Sequence, residues 1–189
     1  MVGYDYSRDN LYFVTICVNN KKCCLGSIGA AHELPVGEMI DGAARELPVR
    51  EMIDEAAREL PVRVKIEESN SKQPRLILNE YGIIVEERIL WLEKQYKYVR
   101  IHNYVVMPNH VHLIIEINRQ FVNSKAIKIK SLSSLMGAFK TTSSKLIHLS
   151  GFYEFSWQRS FHDSIIRSKQ GYLRISKYID SNPDKWFNK

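Results

Sequence analysis

The residues best suited to chemistry are two histidines, His110 and His112, which lie one residue apart in the apolar segment VVMPNHVHLIIEI at residues 105–117. Side chains alternate between the faces of an extended strand, so both imidazoles project the same way, while Val111 and Leu113 point into the opposite layer. Neutral imidazoles are common metal ligands. The alternative is a strand that merely contains two partly exposed histidines, and the pattern alone does not separate these readings.

A second polar group of residues lies near the C-terminus, in the segment RISKYIDSNPDKW. Residues four apart stack on one helical face, which predicts a polar stripe of Arg174, Tyr178 and Asn182 on a terminal helix. Most tyrosines are structural, but Asn182 can present an oxygen ligand one turn beyond Tyr178. Asn182 also precedes Pro183, which disfavours the helical conformation there and suits a helix end.

Two neutral imidazoles and one amide oxygen form an incomplete ligand set. Such a set suits Mg²⁺ or Mn²⁺, with water or substrate oxygens in the other positions, better than a closed structural zinc site. A cation held this way can withdraw charge from a phosphodiester and orient it for in-line attack by a phenolate. The residues therefore predict a metal site of His110, His112 and Asn182, with Tyr178 as the candidate nucleophile.

The bulk properties favour one domain with a polyanionic partner. The chain has 189 residues and a net charge of +6, from 27 basic and 21 acidic side chains,. No apolar run is long enough to span a bilayer and no signal pattern is present, so we expect a cytoplasmic protein that does not bind membranes. Cys17, Cys23 and Cys24 form neither a disulfide framework nor a zinc-ligand spacing,.

Strand and helix patterns alternate in the order strand, helix, strand, strand, helix, strand and terminal helix. Strands are predicted at residues 10–18, 99–107, in the histidine segment and at 155–167, and helices at 79–96, 131–148 and 168–181,. A βαββαβ order is what a ferredoxin-like α+β sandwich with an antiparallel sheet requires. The first and third strands would be central, which places the histidine pair mid-sheet, on the face that the two core helices leave free and the terminal helix could cover.

Each core helix shows an apolar stripe. Asn79 is a plausible cap for the first helix, whose sheet-facing residues are expected to be Val85, Ile89, Leu92 and Tyr96,. The second helix begins at Ser131, and its expected apolar side consists of Leu132, Leu135, Phe139 and Leu146,.

A short tandem repeat lies between the first strand and the first helix. ELPVGEMIDGAAR begins at Glu33, ELPVREMIDEAAR at Glu46 and a truncated ELPVR at Glu59. We expect short amphipathic helical pieces separated at LPV. An added contact surface is one interpretation, but a tolerated insertion at about residues 31–63 of a single domain is favoured, because surface loops accept added length cheaply.

Three segments, MPNHVHLI, WQRSFHD and KYIDSNPDKW, closely resemble the corresponding segments of the REP-associated tyrosine transposases, relatives of the single-tyrosine HUH transposases of insertion sequences. The three segments also occur in the order expected for that family. The resemblance runs from Tyr12 to the C-terminus, except for the repeat. It implies a ferredoxin-like nuclease core that binds single-stranded DNA folded into an imperfect hairpin. It also implies a divalent metal held by His110 and His112, with Asn182 completing the ligand set.

In that family the residue matching Tyr178 attacks the DNA backbone, giving a 5′-phosphotyrosyl link and a free 3′-OH that can reverse the reaction. The expected partners are hairpin-forming single-stranded DNA and, as an open alternative to a monomer, a second copy of the chain. The resemblance also implies residence at the nucleoid. Two other classes remain open: a catalytically silent hairpin-binding protein, and a small metal-binding interaction domain unrelated to DNA.

The DNA contacts are less determined than the catalytic set. Phosphates are bound by lysine and arginine, and unpaired bases stack on aromatic rings. The candidates are Lys140 on the second helix, Arg159 beside Trp157, and Arg174 near the nucleophile. Trp157 has the alternative of a core position, and Lys140 that of plain surface.

Overall fold

A computed structural model of the chain describes residues 10–29, 75–122 and 127–187. The predicted insertion at residues 31–63 lies outside the described residues, so its helical pieces stay a prediction. The strands are β1 (Asn10–Cys17), β2 (Gly26–Gly29), β3 (Arg75–Leu78), β4 (Val99–Met107), β5 (His110–Ile117) and β6 (His162–Ile165). The helices are α1 (Glu80–Gln95), α2 (Leu132–Leu149), α3 (Lys169–Asp180) and α4 (Asn182–Phe187).

Four strands form one antiparallel sheet in the order β4-β5-β1-β6, and β2 pairs with β3 in a separate two-stranded sheet. The first and third strands of the βαββαβ series, β1 and β5, are central. This arrangement confirms the predicted ferredoxin-like α+β sandwich. Among the described residues, no helix is long and apolar enough to cross a membrane.

Helices α1 and α2 pack against each other and cover one face of the sheet. The Asn79 side chain caps α1, accepting a hydrogen bond from the backbone N–H of Gly82 at 3.0 Å, as predicted. The Ser131 side chain does the same for α2 by accepting from Ser134 N–H. Near the end of α2, Leu146 was predicted to face the core but is only half-buried, and the next residue, Ile147, is fully buried instead.

The two central strands divide their side chains between the faces. In β5 the main core receives Val111, Leu113, Ile115 and Ile117, and in β1 it receives Tyr12, Val14 and Ile16. Because alternate residues point the other way, His110 and His112 lie on the opposite face. That face is contacted by α3, which packs against β4 and β5, so the terminal helix lies where the sequence predicted it.

A β-bulge in β4 changes which residues face α3. Ile101 pairs with Ile115 and Asn103 with Ile114, so His102 is an extra residue in the ladder,. The bulge shifts the alternation by one position. Tyr104 therefore packs on the main core, as Ile101 does, and the Asn103 side chain is directed at α3.

The predicted fourth strand, residues 155–167, was too long. Only four residues, β6, pair with β1, and Trp157 makes a single bridge to Val18. Pairing is interrupted because the carbonyl groups of residues 158–160 turn toward the Lys140 ammonium group instead of a neighbouring strand.

The predicted terminal helix, residues 168–181, corresponds to α3, which ends at Asp180. A short helix, α4, follows directly, with Pro183 in its first turn. Proline is tolerated there because a first-turn N–H group has no helical acceptor. Pro183 therefore lies in the first turn of a new helix, two residues after Ser181, the C-terminal cap of α3.

Candidate active site

His112 is held at the middle of the sheet. It is 6% exposed, and its Nδ1 atom lies 2.8 Å from Oγ1 of Thr15, the residue directly opposite on β1. Its Nε2 atom lies 3.4 Å from the Tyr178 hydroxyl. The Phe13 ring stacks on the imidazole, with 5.4 Å between centroids and 29° between planes. These contacts fix the ring so that Nε2 is directed at the phenol.

His110 lies beside His112, with 4.6 Å between ring centroids and 73° between ring planes. Its Nδ1 atom is 2.7 Å from Oδ1 of Asn109, the second residue of the turn that joins β4 to β5. The Trp186 ring of α4 lies 5.6 Å from the His110 ring. The histidine pair is thus bordered by both C-terminal helices.

The buried position of His112 sets its charge. Burial lowers its pKa from 6.5 to about 3, and the neighbouring His110 contributes a smaller lowering,. A neutral imidazole is the form that binds metal ions. His112 is therefore neutral in the folded protein at neutral pH.

Tyr178 is accessible to solvent and also contacts the histidine pair. Its side chain is 39% exposed, while its hydroxyl approaches His112. The Lys185 ammonium nitrogen lies 5.1 Å from the centre of the phenol ring, and Phe13 meets the same ring edge-on at 6.1 Å. The structure therefore brings the predicted nucleophile and both predicted imidazole ligands together within one chain.

Helix α3 is held over the site by polar contacts together with a buried apolar side chain. The Asn103 amide donates to Oγ of Ser176 at 2.8 Å and to Oδ1 of Asp180 at 2.9 Å. The His102 and Tyr172 rings meet at 5.9 Å. Ile179 is the one fully buried side chain of α3. These contacts fix the helix across β4 and β5 and thereby position Tyr178.

The donor set fits a hard divalent cation only if an amide oxygen takes part. In the part of the chain that the structure describes, no cluster of three His, Cys, Asp or Glu side chains could hold a metal ion. Asn182 carries such an oxygen and is 7% exposed. It lies at the start of α4 and not on α3 with Arg174 and Tyr178, so the predicted stripe along a single helix is wrong. Two imidazoles and one amide oxygen match Mg²⁺ or Mn²⁺ that keeps other oxygen ligands.

The four predicted DNA contacts occupy different environments. Trp157 is 8% exposed, packs against Phe139 and Phe155, and donates its indole N–H to Ser143 Oγ at 3.0 Å. This is the core position considered as its alternative. Arg159 and Arg174 are exposed.

Lys140 is engaged within the fold. Its ammonium group donates to the carbonyl oxygens of Gln158 at 2.9 Å, Ser160 at 3.0 Å and Arg159 at 3.3 Å. Burial lowers the pKa of the Lys140 ammonium group. Lys140 therefore holds the backbone of residues 158–160, just before β6, against α2.

Sequence reasoning missed Thr15, Asn109 and Asn103 as parts of the site. Asn109 lies inside the histidine motif, so its proximity to His110 was a local signal. Thr15 is 97 positions from His112, and only the register of β1 against β5 reveals the contact. The contact of Asn103 with α3 depends on the β-bulge in β4, which the sequence pattern does not predict.

Comparison with known proteins finds similarity over nearly the whole chain. A Haemophilus influenzae protein described as uncharacterized is 24% identical over 196 residues, covering 97% of this chain and 85% of that protein. A solved structure of a REP-associated tyrosine transposase bound to a REP hairpin aligns with 98% of this chain and 74% of its own, at a TM-score of 0.48 and 16% identity.

The sequence model of the family described as "Transposase IS200 like" matches residues 77–182, more than half of the chain. The matched range contains the His-x-His strand, Tyr178 and Asn182. The family is one of DNA-processing enzymes, as the three sequence motifs predicted. The chain belongs to the IS200-like transposase family.

Proposed function

We propose that this protein is a metal-dependent transposase that cleaves and rejoins single-stranded DNA through a 5′-phosphotyrosine intermediate at hairpin-forming, REP-like sequences. The observation that carries the proposal is the 3.4 Å approach of the Tyr178 hydroxyl to His112 Nε2. The two residues are 66 positions apart, so this contact is a product of the tertiary fold. The contact places a candidate nucleophile beside the buried His112 and the half-buried His110, which are the two candidate imidazole ligands,.

In the cleavage step the Tyr178 phenolate oxygen attacks a backbone phosphorus atom. A new O–P bond forms, the bond to the 3′ oxygen breaks, and that oxygen takes up a proton to become a 3′-OH. Attack by a 3′-OH on the phosphotyrosine reverses the step and joins strands. No nucleotide cofactor is needed, because the covalent link retains the phosphodiester free energy.

The side chains around Tyr178 divide the remaining tasks. His110, His112 and Asn182 would hold Mg²⁺ or Mn²⁺, which when bound withdraws negative charge from the phosphate. Phe13 packs against both His112 and Tyr178 and fixes their mutual orientation. Lys185 places a positive charge over the phenol ring, where it attracts the phenolate,.

The proposed substrate follows from charge and from the three motifs. The net charge of +6 and the exposed Arg159 and Arg174 favour contacts with DNA phosphates,. The similarity of the motifs to those of REP-associated tyrosine transposases supports a single strand folded as a hairpin. In this proposal Tyr178 acts with the histidine pair of its own chain, because the two lie together there. The mass of the protein in solution tests whether two copies pair.

The test is covalent capture of a 3′-labelled hairpin oligonucleotide in the presence of Mn²⁺, read as a labelled protein band after denaturing electrophoresis. Wild type is expected to form the adduct, and Tyr178→Phe to lose it by at least about 10³-fold, because only the attacking oxygen is removed. Tyr172→Phe is the matched control, since it removes the same atom from another tyrosine of α3.

Equal and minimal adduct from wild type and Tyr178→Phe, with hairpin binding intact, would contradict the enzyme and leave the silent hairpin-binding protein. Failure to bind hairpins even at low salt would contradict both, because phosphate contacts are strongest there.

A further inference from the structure

The amide of Asn109 can adopt only one orientation. Asn109 is 8% exposed, and its Nδ2 atom donates to the backbone carbonyl of Lys21 at 3.0 Å. A carbonyl oxygen only accepts hydrogen bonds, so the NH₂ end of the amide must face Lys21 and the oxygen must face His110. Because an amide oxygen also only accepts, the hydrogen of the 2.7 Å contact belongs to His110 Nδ1,.

The turn that carries Asn109 is itself fixed by the backbone after β1. The Pro108 carbonyl accepts from the N–H groups of Cys24 at 2.9 Å and Leu25 at 3.0 Å. The Asn109 carbonyl accepts from Val18 N–H at 2.9 Å. The side-chain amide therefore extends from a backbone that three hydrogen bonds hold in place, and the orientation toward His110 is built into the fold.

Thr15 performs the corresponding role for His112. It lies directly across the ladder, and its Oγ1 atom is 2.8 Å from His112 Nδ1. A hydroxyl can accept or donate, so this contact alone allows two tautomers. The Tyr178 hydroxyl at Nε2 can also donate or accept,. A phenol is more acidic than an aliphatic hydroxyl and is therefore the better donor, which favours donation from Tyr178 to Nε2 and leaves the imidazole hydrogen on Nδ1, where Thr15 accepts it,.

We propose that Asn109 and Thr15 are positioning residues that hold both imidazoles as Nδ1–H tautomers, so that each ring presents its Nε2 electron pair to a divalent cation. This inference rests on the proposed function, because the tautomer matters to catalysis only if these rings bind a metal. Metal-binding histidines commonly donate their other ring N–H to a neighbouring acceptor, which fixes tautomer and ring orientation. Here two acceptors from different elements do so for adjacent rings.

The first test is nitrogen NMR of the full-length, metal-free wild-type protein with ¹⁵N-labelled histidine. Protonated and unprotonated ring nitrogens have separate chemical shifts, so each tautomer is read directly. Both His110 and His112 are expected as Nδ1–H. A dominant Nε2–H form in either ring would overturn the proposal. The measurement uses neither metal nor DNA, so it is independent of activity.

The second test compares Mn²⁺ affinity in Thr15→Val and Thr15→Ser. Valine keeps the shape of threonine and removes the hydroxyl, so Mn²⁺ binding is expected to weaken about 10- to 100-fold. Serine keeps the hydroxyl, and its affinity is expected to stay within about three-fold of wild type. Equal affinity for wild type and Thr15→Val would overturn the role of Thr15. A matching circular dichroism spectrum establishes that each variant is folded.

Asn109→Leu extends the same comparison to the other ring. It is expected to lose the fixed Nδ1–H signal of His110 while that of His112 is retained, and retention of both signals would overturn the role of Asn109. Nδ1–H rings in a protein that binds no Mn²⁺ would refute the metal-dependent function, whereas Mn²⁺-dependent cleavage with Nε2–H rings would refute the positioning role alone.

Discussion

The two faces of the central sheet are covered in different ways. On one face α1 and α2 bury a continuous apolar layer that includes Val85, Ile89, Leu92, Leu132, Leu135, Met136, Phe139 and Ile147. On the other face fewer apolar side chains are fully buried, among them Ile114 of β5 and Ile179 of α3, and α3 is also held by Asn103 and by contacts between rings. The first face is a core, and the second is a docking surface for the helix that carries the candidate nucleophile.

This difference has an energetic consequence. A fully buried apolar side chain contributes about 1.5–3 kcal/mol, and a typical hydrogen bond contributes about 0.5–1.5 kcal/mol net. The layer under α1 and α2 therefore stabilises the fold far more than the contacts under α3 do. We expect α3 to open locally at a lower free energy than the core unfolds, which would allow a DNA strand to reach the histidine pair.

The largest expected effect comes from the core face. Phe139→Ala removes a ring that is 1% exposed and packs on Trp157, so it should lower the free energy of unfolding by about 3–5 kcal/mol, measured by urea denaturation,. Ile179→Ala is the counterpart on α3. Hydrogen exchange should quicken across the whole sheet in Phe139→Ala but chiefly within α3 in Ile179→Ala. If hydrogen exchange of the β1 amides quickened equally in both variants, the two faces of the sheet would not differ in the way described.

Acid should weaken the α3 face through His112. The unfolded chain protonates this imidazole near pH 6.5, and the folded chain does so only at about pH 3, so the unfolded state binds more protons between these values,. The free energy of unfolding should therefore fall with falling pH, by at most about 1.4 kcal/mol per pH unit from this group. Between pH 6.5 and 4.5, the free energy of unfolding of the metal-free wild type should fall by about 2–3 kcal/mol more than that of His112→Gln. If the free energy of unfolding varied with pH equally in both proteins, His112 would not be the group responsible.

A smaller effect is expected at the polar anchor of α3. Asn103→Ala removes the donor shared by Ser176 and Asp180, so it should destabilise the docked helix by about 1–2 kcal/mol,. Hydrogen exchange of the α3 amides should quicken by about ten-fold, while the amides of α2 stay unchanged. Asn118→Ala, which changes the same residue type beyond the end of β5, is the control and should leave α3 exchange unaffected.

The smallest effects separate two basic residues that the sequence placed together as DNA contacts. Lys140→Met removes an ammonium group bound to three carbonyl oxygens and should cost about 1 kcal/mol of stability, with little change in hairpin affinity,. Arg174→Ala should leave stability unchanged but weaken binding and reduce the salt dependence by about one phosphate contact. A reversed pattern in hairpin titrations at several salt concentrations would overturn this distinction.

What the sequence could predict was local or periodic. The faces of β5 follow from strict alternation, and the cap Asn79 follows from side-chain chemistry at a helix start. The contact of Thr15 with His112 depends on strand register across 97 positions, for which no local pattern exists. Likewise, Lys140 carries a charge typical of a DNA contact, and only the tertiary fold shows the carbonyl groups that bind it.

The ribbon formed by β2 and β3 determines how the chain accommodates its tandem repeat. Gly29, the last residue of β2, is paired with Arg75, the first residue of β3, so the segment between them leaves and re-enters the domain at neighbouring points of one ladder. Doubling the length of a closed loop costs only about 0.6 kcal/mol. Gain or loss of an ELPV unit is therefore expected to leave the distances among Tyr178, His110 and His112 unchanged.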